Sequence, residues 1–161
     1  MADDSIRRLV TQGLAALKAG SDVAAAATQE IQNDARSPEL REALEEGTRT
    51  SRQWAERIDR ALAEAGEQGE ERQNPILEAH FETSRRIRQQ APDDQSRDLG
   101  IVAAGQLALH YWIAAFGTLG NYAEKLGMAE TERNMRTSLD EAKQADQQHT
   151  AIAEKILAQG G

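Results

Sequence analysis

The chain has no cysteine, which excludes disulfides, thiolate catalysis, iron–sulfur clusters and cysteine-based zinc sites. Any metal would have to be held by Asp, Glu and the three histidines. Aromatic residues make up only 4% of the chain and prolines number three. The 39% apolar content is mostly Ala, Leu and Ile, a mixture that favours helix over half-buried strand. Positive charge is also scarce: 19 Lys and Arg stand against 27 Asp and Glu, leaving a net charge of -8 and a pI near 4.9. Such a surface repels nucleic-acid phosphates and anionic lipid head groups, so neither nucleic acid nor membrane is expected as a partner. Met1-Ala2-Asp3-Asp4 is acidic where a signal peptide is basic, and no apolar run reads as long enough to span a bilayer. The expectation is a cytoplasmic protein, and 161 residues fit a single domain over 1–161.

What is present is helical periodicity, with prolines and glycines placed between the periodic segments. Ser5 can cap a first helix with the stripe Ile6, Leu9, Val10, Leu14 and Leu17. Gly20-Ser21-Asp22 then breaks or caps it before the pattern resumes to Ile31, so the first arm is one kinked helix or two in tandem. Ser37-Pro38-Glu39 starts a long helix, because Ser accepts an orphan N–H, Pro is harmless at the first position and Glu suits the positive helix end. Its stripe is Leu40, Leu44, Gly47, Ser51, Trp54, Ile58 and Leu62, small and polar in the middle, ending near Gly66 in an acidic loop that runs to Gln73. Asn74-Pro75 opens a third, shorter helix, and Ala91-Pro92-Asp93-Asp94 closes it. Ser96 can cap the fourth helix, which is the most apolar and ends at Gly127, a left-handed C-terminal residue. The last helix carries Met135, Leu139, Ala142, Asp146, His149, Ile152 and Ile156 and frays at Gly160-Gly161. The fold class is therefore all-α: an antiparallel four-helix bundle with one additional short helix.

The run from His110 to Gly127 holds four of the chain's six aromatic residues and three of its twelve glycines. Gly100, Gly105, Gly117 and Gly120 each weaken the fourth helix by up to about 1 kcal/mol relative to Ala. Close packing should compensate, with Gly117 and Gly120 admitting another helix or a second subunit. The run Ala24 to Ala27 is likewise expected at a tight helix contact. Arg49, Arg52, Arg57 and Arg60 alternate with Glu45, Glu46, Glu56 and Asp59, which reads as a solvated helix face and not an anion site.

From Ile76 onward the order and spacing of residues resemble the ferritin-like bacterial stress proteins of the YciE/YciF type. The resemblance rests on Leu77-Glu78, Arg97-Asp98 with Ile101-Val102-Ala103-Ala104, His110-Tyr111 through Gly117-Thr118-Leu119 to Leu126-Gly127, and Leu139-Asp140-Glu141 with Lys143 and Asp146. Glu56-Arg57-Ile58-Asp59 matches on the second helix. The resemblance implies a ferritin-like bundle, a cytoplasmic setting, a homodimer and induction under stress, but no established reaction.

In ferritin-like metal bundles, Glu and His from four helices converge on two metal ions. The resemblance places such ligands where this chain has Arg49-Thr50-Ser51-Arg52-Gln53-Trp54, Trp112 and Ala142, with Asp146 kept and Asp22 near the position on the first arm. A hard two-metal centre needs several anionic oxygens, and those are missing. The expectation is a degenerate site without cofactor, its former cavity filled by Trp112 and Ala142, with the Trp112 N–H directed to Thr50, Ser51 or Gln106. The metal alternative is iron, manganese or zinc at a non-standard site built on Asp146 and His149, three apart on one helix, with His110, Glu78 or Asp22 converging on them. His80 reads as a partly exposed histidine. Without a nucleophile paired to a base, no enzyme is defined, and the function expected is packing or protein-partner binding. A third reading is a small-molecule pocket lined by Trp54, Trp112 and Phe116.

Overall fold

Five helices follow one another along the chain: α1 (Ala2–Asp34), α2 (Pro38–Ala65), α3 (Pro75–Gln90), α4 (Asp94–Lys125) and α5 (Ala129–Gln159). The computed structural model describes residues 2–66 and 73–159, so the middle of the acidic loop and the expected fraying at Gly160-Gly161 lie outside the described residues. The local signals act as their chemistry dictates. Ser37 accepts from the Leu40 N–H and Asn74 from the Leu77 N–H, each cap contributing about 1 kcal/mol. Gly66 and Gly127 take the left-handed conformation at φ 78° and 69°.

α1, α2, α5 and α4 form a ring in which each helix runs antiparallel to its neighbours. The pairs Gln32–Thr48 and Lys18–Asp59 fix α1 against α2. Trp54–Glu141 and Thr131–Glu64 fix α2 against α5, and Gln106–Thr150 and Gln95–Ile156 fix α5 against α4. α3 covers the seam between α1 and α4. Its buried Arg88 donates to Asp34 and Glu30 of α1, and Asn74 at its start donates to the Ala16 carbonyl and the Tyr111 hydroxyl.

Several expectations are corrected. The first arm, open in sequence between one kinked helix and two in tandem, is one helix through Gly20-Ser21-Asp22. Gly20 is there for close approach, since a Cβ would lie 2.7 Å from Asn74 Nδ2 and 2.8 Å from Leu77 Cδ1. Asp93, not Ser96, caps α4: its carboxylate accepts the Ser96 N–H at 2.7 Å. The alanine run is no tight contact, because Ala25 and Ala26 are exposed. α4 is in fact long and apolar enough to cross a bilayer by length and composition. It packs against α1, α3 and α5, and a helix with neighbours on three sides is apolar most of the way round.

The apolar interior is divided in two. One cluster joins Val10, Leu14, Trp54, Ile58, Trp112, Phe116 and Met135, and a second joins Ala35, Leu40, Ala43, Ile101, Val102, Ile152 and Ile156. What separates them is the feature that matters for function.

Candidate functional site

Between the two clusters lies a cavity of about 510 Å³ with wall residues from all five helices. Trp54 and Trp112 bound it on the side of the first cluster, Ala43 and Ile101 on the side of the second. The space exists because small residues share this level: Gly47 and Ser51 on α2, Gly105 and Ala108 on α4, Ala24 and Thr28 on α1. Phe81 and His80 of α3 close one side. Trp112 and Ala142 do point inward, at 5% and 0% exposure, yet they leave this cavity beside them instead of filling the centre. Phe116, expected in such a pocket, instead backs the tryptophans: its ring is 5.1 Å from Trp54, edge to face, and 5.5 Å from Trp112, stacked.

Trp54 is fixed through its polar edge. Its indole N–H donates to Glu141 Oε2 at 2.8 Å, and Arg57 forks onto the same carboxylate at 2.5 and 3.0 Å while also donating to Ser138. Burial opposes ionisation of Glu141, but the hydrogen bonds from Arg57 and Trp54 outweigh it and hold the carboxyl below its ordinary range. Arg57 therefore leaves the solvated face it was read into, while Arg49, Arg52 and Arg60 remain exposed. The Trp112 indole N–H donates to none of the expected acceptors, and Gln106 is bonded to Thr150 instead.

His149 is 7% exposed. Its Nδ1 lies 2.8 Å from the Ala145 carbonyl, which can only accept, so the proton sits on Nδ1 and Nε2 is an acceptor. Burial depresses its pKa, outweighing the Ala145 carbonyl and the charge of Asp146. The ring lies directly over Gly105, where a Cβ would meet Nε2 at 2.8 Å. This approach is tighter than at Gly117 and Gly120, where a Cβ would make ordinary contacts of 3.8 and 3.5 Å. His80 is half-buried, which lowers its pKa against a hydrogen bond to the Ala104 backbone.

The metal candidates are dispersed. His110, on the exposed side of α4, sits 3.2 Å from Asp146 Oδ2, and Asp146 Oδ1 is buried without a partner among the described residues. His149 is engaged by Ala145 and lies over Gly105, while Glu78 and Asp22 are exposed. Among the described residues, no group of three or more His, Asp or Glu is placed to hold an ion. Sequence reasoning missed the Arg57–Glu141–Trp54 network, and periodicity carried no sign of it.

The family model described as Domain of unknown function (DUF892) matches residues 9–160. Protein YciF of Escherichia coli (strain K12) is 31% identical over 77 residues, 48% of this chain and 46% of that protein, so the match spans about half the length of this curated relative. The crystal structure of the E. coli stress protein YciF aligns with a TM-score of 0.91 at 21% identity, covering 95% of this chain and 97% of that one. YcfI from Rhodopseudomonas palustris aligns with a TM-score of 0.86 at 24% identity, covering 90% and 92%.

Proposed function

The chain belongs to the DUF892 family, and from that premise we propose that it is a non-enzymatic, cytoplasmic, stress-associated helical protein in which the ferritin-like two-metal centre has been lost. The observation that carries this reading is the occupancy of the ligand positions. Trp112 and Ala142 are buried and apolar, Thr50 and Ser51 are uncharged, and Arg52 is exposed. The available donors do not fit a centre that needs several anionic oxygens to replace metal hydration. Glu141, the half-buried carboxylate at this level, is already neutralised by Arg57.

A homodimer belongs to the same proposal. Its support is the stripe Ala103, Leu107 and Ala114 on the outer side of α4, exposed in the single chain, with Leu107 at 68%. A second reading, metal binding around Asp146, is favoured by the unpartnered Asp146 Oδ1 beside His110. Metal analysis of protein purified without an affinity tag separates the two. The expected result is substoichiometric iron, manganese and zinc. One metal per chain, lost in Asp146→Ala, would overturn the first reading in favour of the second.

A further inference from the structure

The packing reading leaves the cavity unused, although α1, α2 and α4 spend small residues to keep it open. Its walls give it a definite chemistry. Trp54, Trp112 and Phe81 offer aromatic surface, and among the described residues the lining contains no lysine or arginine. Of the two carboxylates in the lining, Glu141 has both oxygens committed to Arg57 and Trp54 and Glu46 is exposed, so nothing there offers a positive charge to an anionic ligand. His149 lines the same space. It is more than nine-tenths buried, its Nδ1 proton is spent on Ala145, and its Nε2 lone pair has no donor among the described residues. This acceptor borders a volume within the usual range of small-molecule sites, roughly 300–1,000 Å³, and a ligand that donates to it takes up a hydrogen bond otherwise left to water.

We propose that this cavity binds an uncharged aromatic molecule bearing a hydroxyl, of the phenol class, whose O–H donates to His149 Nε2 while its ring packs against Trp54, Trp112 and Phe81. The hydroxyl is selected because Nε2 can only accept. The ring is selected because aromatic faces gain from edge-to-face and offset contacts beyond simple burial. Negative charge is excluded because no cation in the lining could repay its desolvation. The site shares His149 with the metal alternative but uses neither Asp146 nor His110, and phenol binding in the presence of a chelator distinguishes it from a metal site.

Titration calorimetry of the full chain with 4-propylphenol, 4-propylanisole and 4-propylbenzoate tests this. The expected result is saturable binding of one 4-propylphenol per chain. The anisole, which keeps the ring and oxygen but lacks the donor, binds about threefold to tenfold more weakly, the value of one neutral hydrogen bond. The benzoate shows no saturable binding. Ala108→Phe fills the cavity and abolishes binding of the phenol while the melting temperature stays at or above wild type. His149→Phe brings the phenol down to the anisole. The proposal is overturned by an absence of saturable phenol binding, by binding that survives Ala108→Phe, or by equal affinity for phenol and anisole. If His149→Phe does not fold, the ligand pair and the Ala108→Phe variant decide the matter alone.

Discussion

Asp98 offers the sharpest test of what holds the bundle's first hairpin. It sits near the start of α4, 4% exposed, and its two oxygens accept the backbone N–H groups of Arg36 and Ser37 at 2.8 and 2.6 Å. One side chain thereby satisfies both donors of the turn that joins α1 to α2. Hydrogen bonds to an ionised acceptor contribute about 1.5–3 kcal/mol each. Arg36 is exposed and its neighbour half-buried, so water can replace part of the loss, and Asp98→Ala should cost about 3 kcal/mol. With a urea m-value of about 2 kcal/mol/M, the midpoint should fall by about 1.5 M at unchanged m. Asp98→Asn keeps the shape and one acceptor but turns an NH₂ toward an N–H, so about two thirds of that loss is expected. Urea unfolding followed by the helical circular dichroism signal measures both, and amide exchange at Arg36 and Ser37 should accelerate in both variants. A midpoint for Asp98→Ala within about 0.3 M of wild type would refute the claim that this carboxylate carries the turn.

Gly47 sits inside α2 with open space for 4 Å around the place a Cβ would occupy and no positive φ, so Gly47→Ala should stabilise by about 0.5–1 kcal/mol, and a lower melting temperature would contradict this. His149 and His80 are both pushed below the ordinary value of 6.5 by burial. The unfolded chain therefore binds more protons than the folded one just below that value, so stability is full above about pH 6.5 and declines as pH falls below it. Replacing His149 with Gln should flatten that decline between about pH 6.5 and 5, and an unchanged slope in urea titrations would show that the ring is not the titrating group.

Much of the architecture is legible because it depends on local chemistry. Ser37, Asn74, Gly66 and Gly127 mark helix ends through groups within four residues of themselves, and the apolar stripes need only the period of the helix. What fails does so where a distant residue decides. Gly20 reads as a breaker until Asn74 and Leu77 are seen resting on it, and Arg57 reads as solvated until Glu141 arrives from α5. At the site, the small and polar middle of the α2 stripe is visible at Gly47 and Ser51. Its meaning is not, since a cavity exists only when α1 and α4 are small at the same height. The Asp146–His110 pair is among the convergences the sequence offers, but choosing His110 over Glu78 or Asp22 depends on the packing of residues 36 apart.

The chain's two tryptophans stand 5.8 Å apart at the boundary of one cavity. The intrinsic tryptophan emission of the entire molecule thus originates at a single address, close enough for the two rings to exchange excitation. One indole is tethered to a carboxylate and the other has no acceptor among the described residues. The protein is, in effect, already labelled: its emission, excited to the red of the tyrosine band, reports the centre of the bundle.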